Sequence, residues 1–256
     1  MRDPVPASCQ LALIAPPYDR FHDASSLAMR EVIGRKGVAF VWWLMNAAEQ
    51  KPEFEFLRVR PASVPLVIVL PPPEDVLQTM PLLGQLRRLH PRAVLPIGTM
   101  DSPRRIRDLL NVPPSPFGET VAKYLTRRGT LRDPGIERCV QRIFELAPEI
   151  HSVTQLAKRL YTSRRTLGRQ FAAAGLPVPS HWLQFARVLH VAVHLQREPQ
   201  AVFRIAMNMG YPDGFTLSNQ MKRLIGMRPT ELREYVGWEW IVEAWLEQEG
   251  LSADAE

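Results

Sequence analysis

Three arginines set close together, Arg164, Arg165 and Arg169, are the residues of this chain whose type and spacing most directly invite chemistry. A guanidinium is a planar fork of donors that satisfies two acceptors at once, such as O6 and N7 of guanine or two oxygens of a phosphate. Arg165 and Arg169 lie four residues apart, so on a helix they share one face. Taken alone, each can meet a base, meet a phosphate or stand in solvent.

The other reactive residue types are less suggestive. His22, Asp23 and Ser25 stand together, but Asp and Ser are ordinary caps at a helix start, and these residues are expected to cap one. His190 and His194 have the i, i+4 spacing a metal pair can use; with no carboxylate or cysteine read beside them, they are taken as structural. Cys9 and Cys139 fit no metal or redox spacing and are expected to be buried free thiols. There is no P-loop and no glycine-flanked serine or cysteine elbow. The sequence therefore predicts no catalytic residue, no metal site and no cofactor, and the chain is not expected to be an enzyme.

Charge places the arginines in a wider setting. The chain of 256 residues carries a net charge of +6. Lys plus Arg outnumber Asp plus Glu by 20 to 16 over residues 1–149 and by 12 to 5 over 150–240, whereas 241–256 hold none against 5. Positive charge concentrated in one segment suits a polyanionic partner, although a solvated basic face has the same composition. No apolar run approaches the ~20 residues that span a bilayer, and Asp3, Pro4 and Pro6 argue against a signal peptide, so a cytoplasmic location is expected.

The elements that hold these residues fall into two patterns. Short apolar runs at Cys9–Ala15, Val38–Met45, Pro65–Leu70 and Ala93–Ile97 read as strands, alternating with helical spacing over Ala24–Gly34, Asp75–His90 and Pro103–Leu110. Such alternation predicts an α/β layer with a mainly parallel sheet, broken by loops at Pro71–Pro73 and Pro113–Pro114. From Gly135 onward no strand signal remains, and Ile136, Val140, Ile143 and Phe144 mark a helix over about Gly135–Leu146.

A repeat then dominates. Val153, Leu156, Ala157 and Leu160 stand at i, i+3, i+4 and i+7, and Val202, Ile205, Ala206 and Met209 reproduce the set 49 residues later. Thr166 and Leu167 recur as Thr216 and Leu217, and Phe171 as Met221, now 50 residues on. Each copy reads as helix, turn, helix. Ser152 caps the first helix of the first copy, Tyr161 and Thr162 turn the chain, and Ser163 caps the helix that opens with Arg164. In the second copy Gly210 makes the turn and Pro212 with Asp213 opens the next helix. A continuous helical pattern over His181–Gln196 separates the copies. The tail Tyr235–Glu249, with Trp238, Trp240, Ile241, Ala244 and Trp245, reads as an amphipathic helix that either caps the core or meets a partner.

Residues 136–235 resemble the DNA-binding domain of the AraC/XylS family of transcription regulators. The first unit of that pattern, L-A-x-x-x-x-x-S-x-x-x-L-x-R-x-F, is met by Leu156, Ala157, Ser163, Leu167, Arg169 and Phe171. The second, I-A-x-x-x-G-F with a closing G-x-x-P-x-x-x-R, is met by Ile205, Ala206, Gly210, Tyr211, Gly226, Pro229 and Arg233. Tyr161 stands where the family usually has Gly, and Asn219 and Met221 where it usually has Arg and Phe; the segment after Phe171 is one residue short.

The resemblance implies a bacterial-type regulator in which the second helix of each unit enters a major groove of double-stranded DNA, two successive grooves being read together. Base-facing residues would then be Arg164, Arg165, Thr166, Gly168 and Arg169 in the first unit, and Gly214, Phe215, Thr216, Ser218 and Asn219 in the second. Phe215 would meet a thymine methyl group, or be a core residue were the helix phase shifted. Arg187, Arg204, Lys222 and Arg223 would hold phosphates. RNA polymerase, a small-molecule or protein effector and a second copy of the chain are further partners the family pattern leaves open.

Four segments follow: an α/β regulatory or dimerisation domain over 1–130, a linker helix over 131–148, the double helix-turn-helix over 149–237, and a C-terminal helix with acidic tail over 238–256. The first resembles a response-regulator receiver only loosely. The strand ends Ile14-Ala15-Pro16 and Val69-Leu70-Pro71 lack the acidic residues that would hold Mg²⁺, so a degenerate receiver-like or ligand-binding domain is expected. An enzyme or signal-binding domain fused to a DNA-targeting module, and an adaptor inactive on DNA, are the competing readings.

Overall fold

A computed structural model describes residues 10–44, 51–70, 84–96, 102–198 and 200–251. Cys9, Met45, Pro71–Pro73, Ile97 and the start of the helix expected over Asp75–His90 lie outside them. The chain forms two compact units, Met1–Asn111 with Glu234–Trp240, and Val112–Arg233 with Ile241–Glu256.

The first unit is built on five strands, β1 (Leu11–Ile14), β2 (His22–Asp23), β3 (Ala39–Trp43), β4 (Leu66–Leu70) and β5 (Ala93–Pro96), in the order β2-β1-β3-β4-β5. Leu11, Leu13, Phe40, Trp42, Leu66 and Ile68 enter one buried cluster, while Ala12, Ile14, Ala39, Val41, Val67 and Val69 enter another. With both faces covered, these strands read as unbroken apolar runs instead of alternating ones, which is why they stand out in the sequence.

The sheet is mixed. β3 pairs β4, and β4 pairs β5, in parallel, whereas β1 runs antiparallel to both β2 and β3. The strand order is that of a receiver, but the direction of β1 is not. Parallel neighbours need a crossover connection; β1 returns through the short reversal into β2 and so can lie antiparallel.

Two expectations fail in this unit. Ala24–Gly34 forms no α-helix, only a short 3₁₀ turn at Met29–Glu31. The segment starts as sheet edge, with Ala24 N–H donating to Leu11 O at 3.0 Å, and it ends at Gly34 in the left-handed region (φ 80°). His22, Asp23 and Ser25 accordingly do not cap a helix: the first two are β2, and Asp23 accepts from Ser25 N–H at 2.9 Å in a local turn. A helix α1 (Lys51–Arg58) had no counterpart in the sequence reading, and α2 (Pro103–Leu110) begins at the cap Ser102.

The stretch Glu234–Trp240 completes this unit. Tyr18 OH donates to Gly37 O at 2.6 Å and accepts from Val236 N–H at 3.0 Å, with the Arg107 guanidinium 5.7 Å from its ring centre. Trp240 Nε1–H donates to Val236 O at 2.8 Å. The expected tail helix is therefore shorter than Tyr235–Glu249, because Gly237 turns the backbone into the left-handed region (φ 79°) before it starts.

The second unit is helical: α3 (Phe117–Arg127), α4 (Pro134–Leu146), α5 (Val153–Arg159), α6 (Arg164–Ala173), α7 (Pro179–Arg197), α8 (Val202–Asn208), α9 (Gly214–Ile225), α10 (Pro229–Leu232) and α11 (Glu239–Gln248), whose residues from Ile241 on belong here. α3 was not foreseen. It lies flush on α4, so near that a Cβ on Gly118 would come within 2.8 Å of Gln141 O. This pair draws the packing boundary to 111–112, earlier than the end at residue 130 expected for the first domain.

Candidate nucleic-acid interface

The repeat in sequence is a repeat in structure. α5 and α8 bury Leu156 and Ala157, and Ile205 and Ala206, at matching positions. Small residues there let the crossing helices approach. The turns match as well: Tyr161 (φ 51°) and Gly210 (φ 70°), 49 residues apart, both take the left-handed conformation that ends the first helix of each copy.

The second helices are held in the same register by their caps. Ser163 Oγ accepts from Thr166 N–H at 3.0 Å, and Asp213 Oδ1 accepts from Thr216 N–H at 2.6 Å. That bond holds the Asp213 carboxyl below the usual carboxylate range. Leu167 and Phe171 of α6, and Leu217 and Met221 of α9, turn inward. Arg165 and Arg169 are therefore on the outward face of α6, and Phe215 and Asn219 on the outward face of α9, at positions related by the same shift of 50.

Arg164, Arg165 and Arg169 are exposed, and Thr166 and Gly168 half-buried beside them. On α9, Phe215, Thr216 and Asn219 are exposed, with Gly214 and Ser218 half-buried. Phe215 is 75% exposed, which decides against the core alternative. Among the proposed phosphate holders, Arg204, Lys222 and Arg223 are exposed; Lys222 also donates to Gly226 O at 3.0 Å, and Arg223 to Gln184 Oε1 at 2.8 Å.

Arg187 is a correction. Its guanidinium donates to Met209 O at 2.6 Å and lies 4.6 Å from the Tyr211 ring centre, so it ties α7 to the turn after α8 and does not point outward. Burial pushes the Tyr211 phenol up to about 12. His190 and His194 are likewise occupied. His190 Nε2 bonds Phe144 O at 2.7 Å, and His194 Nδ1 lies 3.0 Å from Glu198 Oε1, a carboxylate the sequence reading overlooked four residues on. No cluster suited to a metal occurs among the described residues. Cys139 is free and half-buried, its thiol pushed up to about 11 by burial, which makes it a poor nucleophile.

Two exposed apolar residues escaped the sequence reading. Phe203 (60% exposed) and Met207 stand one turn apart on α8, out of phase with its buried set, and the backbone of Phe203 abuts Gly214: a Cβ there would lie 3.8 Å from the Phe203 Cα. The signal was available, since neither residue fits the i, i+3, i+4 pattern of Val202, Ile205 and Ala206.

These caps, turns and buried positions define two helix-turn-helix modules in tandem, in which α6 and α9 present their outer faces. Residues 156–235 match the family described as a helix-turn-helix domain, and this segment is an AraC-type helix-turn-helix domain. A similar solved structure is described as the DNA-binding domain of AdpA, the global transcriptional factor, in complex with a target DNA. It is 30% identical, the match covers 40% of this chain and 91% of that one, and the TM-score is 0.35. No curated protein matches the chain. No helix among the described residues is long and apolar enough to cross a membrane.

Proposed function

We propose that this protein is a sequence-specific DNA-binding transcription regulator that inserts α6 and α9 into successive major grooves of one duplex. The observation that carries the reading is the outward arginine stripe of α6, Arg164, Arg165 and Arg169, on the second helix of a capped helix-turn-helix. Thr166 and Gly168 flank that stripe, and Gly214, Phe215, Thr216, Ser218 and Asn219 form the equivalent surface on α9. Arg204, Lys222 and Arg223 serve the phosphates, which fix register without reading sequence.

The spacing suits the task. α7 has 19 residues and so is ~28 Å long at 1.5 Å per residue. Adjacent major-groove faces recur every ~34 Å, and the widths of the two modules supply the remainder. The linker helix, the module over 149–237 and the C-terminal segment act together as the reader. The unit built on the mixed sheet serves as the regulatory or dimerisation domain, and no catalytic step belongs to this function. An effector of that domain, RNA polymerase and a second copy of the chain are its candidate protein-side partners.

Selection of bound sequences from a random DNA pool with the full chain tests the proposal. A preferred sequence is expected, with affinity falling steeply as salt rises. Each bidentate arginine contributes ~1–3 kcal/mol of discrimination, so Arg165→Ala with Arg169→Ala is expected to reduce specific binding at least tenfold. Unchanged binding by that variant would refute the assignment.

A further inference from the structure

We infer that the two modules read chemically different half-sites: α6 a guanine-containing one, and α9 one made of A·T pairs. The inference rests on the reading just proposed, and deepens it.

The equivalence of the two helices makes the comparison direct. Both are entered through an N-cap whose side chain accepts from the N–H three residues on, Ser163 with Thr166 and Asp213 with Thr216. Both bury the pair that follows, Leu167 with Phe171 and Leu217 with Met221. Position by position, then, Arg164 corresponds to Gly214, Arg165 to Phe215 and Arg169 to Asn219. The three cationic positions of α6 become Gly214, Phe215 and Asn219 on α9, whose exposed Lys222 and Arg223 lie further along the helix and bond Gly226 O and Gln184 Oε1, with the first-turn backbone geometry shared.

The chemistry of base edges turns that difference into sequence. Arginine's fork matches guanine O6 and N7. A carboxamide matches adenine, accepting from N6–H and donating to N7, and an exposed ring packs on the C5 methyl of thymine. Asn219 and Phe215 thus both select A·T pairs, one from each strand's chemistry. Neither is suited to guanine: the ring of Phe215 offers no donor, and the Asn219 carboxamide, presenting a donor beside an acceptor, would set its carbonyl oxygen against one of guanine's two acceptors.

Geometry limits how far apart the two contacts fall. Residues four apart on a helix are separated by about 6 Å along its axis, and base pairs stack every ~3.4 Å. Phe215 and Asn219 therefore reach pairs within about two steps of each other, so the α9 half-site should contain adenine and thymine in a block of about three pairs.

The test is selection from a random DNA pool with the full chain, followed by selection with two variants whose altered residues are exposed and outside the core. The wild type is expected to yield two blocks about one helical turn apart, one with guanine contacts and one of A·T pairs. Phe215→Ala with Asn219→Ala should erase preference in the A·T block, with a ten- to hundredfold loss on the best site, and leave the guanine block intact. Phe215→Arg with Asn219→Arg should convert the second block to guanine. A wild-type second block containing guanine, or a single block only, overturns the inference while leaving sequence-specific binding in place. Absence of any selected sequence removes the underlying reading instead.

Discussion

Phe185 and Trp245 lie face to face, their ring centres 4.2 Å apart and their planes within 4° of parallel. Trp182 closes on the same indole edge to face at 4.6 Å, and all three rings are fully buried. The C-terminal helix α11 is thereby part of the core under α7, the helix that separates the two modules. Truncating a buried tryptophan typically costs about 3–5 kcal/mol. Trp245→Ala is thus expected to lower the unfolding free energy of the second unit, read by urea titration, by that order and to weaken DNA binding with it, and Trp245→Phe to do so less. A loss below about 1 kcal/mol would show that α11 is not a structural member of the unit.

The turns of the two modules make an opposite pair of predictions. Tyr161 and Gly210 take the same left-handed conformation, but only glycine does so without strain. Tyr161 is 97% exposed, so its ring has no packing to lose. Relief of about 1–2 kcal/mol of strain, less the greater freedom glycine has in the unfolded chain, predicts that Tyr161→Gly stabilises by about 0.5–1 kcal/mol. Gly210→Ala should do the reverse by about 1–2 kcal/mol. Its new Cβ would fall 2.6 Å from His151 Cε1, but that ring is exposed and can swing aside. Thermal melting of both variants reads the signs directly, and Tyr161→Gly melting lower than the parent would refute the strain argument.

What the sequence disclosed follows from which forces are local. The caps Ser152, Ser163 and Asp213 and the repeated buried positions were legible because a cap and an i, i+4 face are properties of neighbouring residues. The strands were legible because both sheet faces are buried. Strand direction was not, since an apolar run such as Leu11–Ile14 is the same read either way, and two-residue β2 is too short to announce itself. Phe117–Arg127 escaped because Pro113, Pro114, Pro116 and Gly118 mask its start, and its helicity depends on α4. Ala24–Gly34 deceived for the converse reason: Ala24 and Val32 are indeed buried, at helix-like spacing, but against a sheet that supplies the backbone partners. The role of Arg187 hinged on a carbonyl 22 residues away, which no local pattern announces.

Tyr18 offers a test confined to the first unit. Its hydroxyl is the shared partner of Gly37 O and Val236 N–H, and burial raises its pKa well above the ordinary phenol range, keeping it protonated and able to donate. Tyr18→Phe keeps the ring and removes both bonds, leaving a buried carbonyl and a buried amide without this partner. Each unsatisfied group costs about 1–3 kcal/mol, so a loss of roughly 2–6 kcal/mol is expected for the sheet unit. Amide exchange at Val236 should quicken in step. Protection at Val236 unchanged from the parent would mean that the hydroxyl does not hold this segment.

His190 supplies a dependence on pH with a definite sign. Burial, and to a smaller extent the neighbouring His194, lower its pKa below 6.5, while its bond to Phe144 O works in the other direction and does not prevail. The folded protein therefore keeps this imidazole neutral at pH values where the unfolded chain protonates it. Unfolding then takes up a proton, so the contribution of His190 is whole above about pH 6.5 and is lost as pH falls towards its depressed folded value. His190→Gln can still donate to Phe144 O but cannot titrate. Between about pH 7.5 and pH 5, the urea midpoint of the parent is expected to fall further than that of the variant. Parallel declines in the two proteins would show that this histidine does not set the acid sensitivity of the helical unit.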